Sequence, residues 1–67
     1  MGELVMWMVT HRALGGPRSI SGVGLTESDA DALVRELSTR GHKQVYEKFS
    51  YTRSTRAELI CREGILE

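Results

Sequence analysis

Residues 26–41 read TESDADALVRELSTRG, and this stretch decides the fold because it is the clearest helix in the chain. Its apolar residues recur at the i, i+3, i+4 and i+7 spacing of one helix face, and they are Ala30, Leu33, Val34 and Leu37. Thr26 is a favourable N-cap, acidic residues fill the first turn, and Gly41 is suited to end the helix. The pattern predicts an amphipathic helix over residues 26–40, whose apolar face needs a covering partner.

The chain before this helix predicts a β-hairpin. Residues 4–9 (LVMWMV) form a continuous apolar run, which predicts a strand over residues 3–12. LGGPR at 14–18 is a strong turn signal, and a short second strand is expected within residues 15–24. Both faces of the first strand are apolar. This is typical of a central strand, or of a strand whose outer face meets a partner.

The chain after the helix predicts a third strand and a short last element. Residues 43–52 (KQVYEKFSYT) alternate as a strand does, with Glu47 interrupting the apolar face. Residues 55–63 favour a helix, because Thr55 and Glu58 have capping-box spacing and Gly64 is a good stop. Alternating apolar residues in the same segment leave a fourth strand open. Residues 65 and 66 are expected to pack back against the body.

Together these elements predict an α+β fold in the order ββαβα. We expect one domain over residues 1–67, built from a small antiparallel sheet of about three strands. One long helix is expected to pack on one face of this sheet, followed by a short C-terminal helix. A domain of 67 residues buries a modest share of its surface, so association with another chain is a common source of stability at this size.

Composition narrows the class of partner and the compartment. Nine Lys and Arg balance nine Asp and Glu, so the whole molecule lacks the charge excess of a nucleic-acid or membrane binder. Cys61 is the only cysteine, and the N-terminal sequence lacks a basic region ahead of its short apolar run. These features predict a cytoplasmic protein that does not associate with membranes.

No motif in the sequence predicts catalysis, a metal site or a cofactor. The glycines lack the Lys-Ser or Lys-Thr ending of a phosphate-binding loop, and no G-x-S-x-G elbow is present. His11, His42 and Cys61 are far apart and form no ligand pair of the usual spacing. We therefore predict a non-enzymatic protein with no catalytic, metal or cofactor-binding residues and no small-molecule substrate.

A basic segment provides an alternative function. Residues 40–56 contain five basic residues against one acidic residue, with aromatic residues interleaved. Basic groups neutralise phosphates and aromatic rings stack on unpaired bases, so the segment is consistent with a nucleic-acid-binding module. Basic residues on an exposed edge strand also guard it against aggregation. The candidate contacts are Arg40, Lys43, Lys48, Arg53 and Arg56.

Residues 54–64 (STRAELICREG) resemble a helix found in S4-type RNA-binding domains. The resemblance covers eleven of the 67 residues, and these are also the residue types that a capped short helix uses. The rest of the chain does not follow that family, so the resemblance implies no particular binding residue.

The leading prediction concerns Met6, Trp7 and Met8 on the first strand. Tryptophan and methionine are enriched in binding patches. If helix covers one face of the sheet only, the second apolar face of this strand is left for a partner. Alternatively, the C-terminal helix and residues 65 and 66 cover it. We predict a small accessory protein that acts by contact, as a homodimer or on a host protein, of a kind common among phage-encoded and bacterial proteins.

Overall fold

The computed structural model describes residues 3–40 and 44–66, and it confirms the α+β class. Within these residues the elements follow in the order β1 (Met6–Ala13), β2 (Arg18–Leu25), α1 (Glu27–Ser38), β3 (Gln44–Tyr51), α2 (Arg56–Glu63) and β4 (Ile65–Leu66). The described strands form one sheet in the order β3-β1-β2-β4. β1 is antiparallel to both neighbours, whereas β4 is parallel to β2. The sheet is therefore mixed and four-stranded, where about three antiparallel strands were expected.

The connections place the two helices on opposite faces of this sheet. β2 and β3 run parallel because both are antiparallel to β1, so β2–α1–β3 and β3–α2–β4 each join parallel strands. The two crossovers traverse the sheet in opposite directions, and the right-handed rule then puts their helices on opposite faces. Met8 and Val9 confirm this, because they point to opposite faces and both have no exposed surface.

α1 forms as its sequence predicts. The Thr26 hydroxyl accepts a hydrogen bond from the Asp29 N–H at 3.1 Å, which satisfies one of the free donors of the first turn. Arg40 donates to Glu36 across one turn at 2.9 Å. Gly41, predicted to end the helix, lies outside the described residues.

The β1–β2 hairpin closes through a four-residue turn. The Gly16 N–H donates to the Ala13 carbonyl at 2.8 Å, and Gly15 has φ 79°. A positive φ at the third position is the type II arrangement, which glycine adopts without steric cost. The glycine-rich segment is therefore a turn, as the sequence indicates.

β2 carries two irregularities that bend the sheet. Trp7 pairs with Leu25 and Val9 with Gly22, so β2 has one residue more than β1 between these pairs. A second extra residue follows towards the turn. Gly24 lies in the first irregularity at φ 67°, and its N–H donates to the Tyr51 hydroxyl at 2.8 Å. Bulges of this kind increase local twist, which accounts for the curled sheet.

The C-terminal helix is confirmed, but its predicted capping box is wrong. The Thr55 side chain makes no capping bond; instead its hydroxyl accepts from the Thr52 N–H at 2.8 Å and closes the preceding turn. Gly64 ends the helix at φ 64°, as predicted. The chain then adds β4 beside β2, so helix and strand occur in succession.

The core is small and lies mainly between the sheet and α2. Its buried members are Met8, Tyr51, Leu59 and Ile65, with Met6, Ile20, Phe49 and Ile60 packed around them. The radius of gyration is 12.1 Å. A compact domain of this length is expected at about 11 Å. The molecule is therefore somewhat elongated.

Candidate interaction surface

The structure separates the three residues predicted to form an interaction surface. Met8 has no exposed surface, so its assignment to that surface is wrong. The physical reason is the second crossover, which lays α2 and its Leu59 over the face that the sequence left uncovered. Met6 and Trp7 are half-buried and lie towards the end of the sheet that is distant from the hairpin turn.

Trp7 is covered on one side by Lys48. The Lys48 ammonium lies 4.8 Å from the centroid of the indole ring, within cation–π range. The same ammonium contacts Asp31 at 2.5 Å and Glu27 at 3.3 Å, both on α1. The hydrogen bond to Asp31 raises the pKa of Lys48 above its usual value. Lys48 therefore holds α1 to β3 across the ring of Trp7.

The residues just before β1 are the most exposed apolar neighbours of Trp7. Leu4 is 76% exposed and Val5 is 56% exposed. The first strand was predicted to start at residue 3, but it starts at Met6. Both neighbouring strands end there: Tyr51, the last residue of β3, pairs with Met6, and Leu25, the last residue of β2, pairs with Trp7. We call Leu4, Val5, Met6 and Trp7 the apolar end.

Glu3 holds the apolar end in place. Its carboxylate accepts hydrogen bonds from the Thr52 hydroxyl at 3.1 Å and from the Ser54 hydroxyl. The bond from Ser54 lowers the pKa of Glu3 below its usual value. Leu4 and Val5 are thus fixed between this anchor and the first residue of β1. No sequence signal predicts the anchor, since its partners are 49 and 51 residues away.

Other exposed apolar side chains do not form a second surface of this kind. Val23 is 46% exposed and lies on β2 between the partners of Trp7 and Val9, so it adjoins the apolar end. The remaining three are at the hairpin end: Leu14 on the turn, Val45 on β3 and Leu66 on β4. They belong to separate elements, whereas the residues of the apolar end follow one another in the chain.

The basic residues are spread over the molecule. Lys48 faces the α1 carboxylates, and Arg40 pairs with Glu36 at 2.9 Å. Arg53 and Arg56 follow the last residue of β3 in the chain; Arg53 is exposed and Arg56 is half-buried. Lys43 lies outside the described residues. Two of the four described residues, Arg40 and Lys48, are thus engaged by acidic side chains. Nucleic-acid binding stays a prediction.

Glu47, the charge that interrupts the apolar face of β3, belongs to an ion cluster. Arg18 donates to its carboxylate at 2.9 Å and Arg12 lies at 3.3 Å. Arg18 also donates to the Glu63 carbonyl at 2.9 Å and stacks 5.6 Å from the Phe49 ring centroid. The hydrogen bond from Arg18 lowers the pKa of Glu47. The cluster joins β2, β3 and the end of α2.

His11 belongs to a polar pair on neighbouring strands. His11 Nδ1 lies 2.5 Å from the Ser21 hydroxyl, a pair that sequence spacing did not indicate. Residues 3–40 and 44–66 contain no cluster of three or more potential metal ligands and no detectable pocket.

None of the helices described is long and apolar enough to span a bilayer.

Comparison of the chain with protein-family models, with curated proteins and with solved structures gives no match.

Proposed function

We propose that this protein is a non-catalytic accessory protein that binds another polypeptide through the apolar end. The supporting observation is that Leu4 and Val5 are exposed although Glu3 and β1 hold them on both sides. Exposed apolar residues scattered singly are ordinary, but a contiguous and ordered set is typical of a contact surface.

The geometry favours affinity because little ordering remains to be done on binding. A leucine or valine side chain that passes from full exposure to full burial contributes about 1.5–3 kcal/mol. Leu4 and Val5 together therefore provide roughly 2–4 kcal/mol after allowance for the surface already covered. A flexible segment would lose part of this to conformational entropy, whereas a segment anchored at Glu3 loses less.

The partner that fits this surface presents apolar side chains to it. Trp7 contributes the ring surface that Lys48 leaves open, and Val23 extends the patch on β2. Tryptophan is a common anchor of protein interfaces. A host polypeptide in the cytoplasm is the partner that we propose.

Affinity capture tests the proposal with a matched pair of variants. Wild-type protein, the double variant Leu4→Ser/Val5→Ser and the control Leu14→Ser are immobilised and exposed to extract of the native cell. Leu14 is 90% exposed but lies on the hairpin turn, so it controls for the loss of an exposed leucine. We expect one polypeptide to be retained by wild type and Leu14→Ser and to be lost from the double variant.

Two results would count against the proposal. Retention of the same polypeptide by the double variant would remove the apolar end from the interaction. Binding of an oligonucleotide at low salt, with affinity that falls steeply as salt rises, would favour the nucleic-acid alternative. Circular dichroism of each variant shows whether the fold is intact.

A further inference from the structure

We propose that the polypeptide bound at the apolar end carries a lysine or arginine next to its apolar side chains, and that Glu27 and Asp31 recognise this basic side chain beside Trp7. The inference rests on the proposed function, because it specifies the chemistry of the partner that binds there.

The indole ring of Trp7 already holds one cation. The Lys48 ammonium lies 4.8 Å from the ring centroid and contacts the carboxylates of Asp31 at 2.5 Å and Glu27 at 3.3 Å. An aromatic face flanked by carboxylates is a favourable environment for lysine and arginine side chains. The protein therefore shows, with its own lysine, the type of group that this cluster attracts.

Lys48 does not balance the charge of this cluster. One ammonium lies against two carboxylates, so one negative charge remains among Lys48, Glu27 and Asp31. The Glu27 side chain is 59% exposed and the Asp31 side chain is 47% exposed, so both can accept a further hydrogen bond from outside the protein. A basic side chain of a partner completes the neutralisation, whereas an acidic one is repelled.

The cluster adjoins the apolar end through Trp7 and the start of α1. Trp7 is the last residue of the apolar end, and it pairs with Leu25, the last residue of β2. Only Thr26 separates Leu25 from Glu27, the first residue of α1. A polypeptide that packs on the indole ring of Trp7 therefore meets the carboxylate of Glu27 as well.

The contribution of this contact is modest, because the carboxylates are exposed. An ion pair between exposed side chains changes a binding constant by roughly two- to fivefold, and salt weakens it. Glu27→Gln removes the remaining charge, because Lys48 and Asp31 then balance each other. Glu36→Gln is the matched control: it makes the same substitution on the same helix, at a side chain that is 62% exposed and pairs with Arg40.

Selection from a library of random short peptides on immobilised wild-type protein tests the inference. The retained sequences should combine apolar residues with a nearby lysine or arginine. One retained peptide, and the same peptide with glutamine in place of its basic residue, are then titrated against wild type, Glu27→Gln and Glu36→Gln. Wild type and Glu36→Gln should bind the basic peptide roughly two- to fivefold more tightly than the neutral one, and Glu27→Gln should bind both equally.

The outcomes separate this inference from the proposed function. Retained peptides without basic residues, equal binding of the two peptides by wild type, or an undiminished preference in Glu27→Gln would overturn the inference and leave the apolar end as the contact surface. Retention of the same peptides by Leu4→Ser/Val5→Ser, or of no peptide by wild type, would overturn both. Circular dichroism shows that each variant is folded before it is titrated.

Discussion

Thr10 lies at the centre of β1 and carries a polar group that the fold does not satisfy. Its side chain has no exposed surface, and its hydroxyl has no hydrogen-bond partner within the described structure. Its cross-strand neighbours are Glu47 and Ile20. The Glu47 carboxylate is occupied by Arg18, and isoleucine offers no side-chain acceptor. We predict that Thr10→Val stabilises the protein.

The magnitude follows from the cost of a buried, unsatisfied group. Such a group destabilises a protein by about 1–3 kcal/mol, and valine replaces threonine with nearly the same shape and the same branching at Cβ. We expect the free energy of unfolding to rise by about 1–2 kcal/mol. In a domain of this size each kcal/mol corresponds to about 4–8 °C in Tm.

Urea denaturation of wild type, Thr10→Val and Thr10→Ser measures the change in the free energy of unfolding. Thr10→Ser is the control, because it keeps the hydroxyl and removes the methyl group from a packed site, so it should destabilise by about 1 kcal/mol. If Thr10→Val were less stable than wild type, the hydroxyl would have a partner, such as a bound water, and our reasoning about this core would be refuted.

Three further variants test other parts of the structure. Arg18 lowers the pKa of Glu47 below its usual value of 4.5, so the stability that Glu47 contributes is present above pH 4.5 and is lost as the pH falls through the lower pKa of the folded state. Glu47→Gln should therefore reduce the dependence of the free energy of unfolding on pH below 4.5. An unchanged dependence would contradict the ion pair between Arg18 and Glu47. The methyl group that Gly24→Ala adds meets no atom within 4 Å, but alanine must adopt φ 67°, so the free energy of unfolding should fall by about 1 kcal/mol. An unchanged free energy of unfolding would show that the bulge relaxes. Lys48→Ala removes the side chain that covers one side of Trp7, so the fluorescence of Trp7 should shift to longer wavelength. Emission at the wild-type wavelength would mean that the ring is covered by other groups.

Local patterns in the sequence predict the elements of this fold well. The apolar spacing of α1 and its cap at Thr26 depend only on residues within a few positions of each other, and both are confirmed. The turn at Gly15 and the helix stop at Gly64 follow from the conformational freedom of glycine, which is equally local. Each of these features is specified by short-range physics.

The parts that depend on tertiary contacts could not be predicted in the same way. The burial of Met8 requires knowing that α2 crosses the sheet to reach β4, and a two-residue strand leaves no periodic signal. The apolar end depends on a hydrogen bond between Glu3 and Thr52, which are distant in the sequence. Glu47 was visible as an interruption of an apolar face, but its partner Arg18 was not.

The central claim is that ordered apolar residues before β1 contact a partner polypeptide, and site-specific photo-cross-linking tests it most directly. A photoreactive amino acid is placed at Leu4 in one protein and at Leu14 in another, and each is irradiated in the native cell. We predict one defined adduct from position 4 and none of that mass from position 14. Equal adducts from both positions, or no adduct from position 4, would contradict the account.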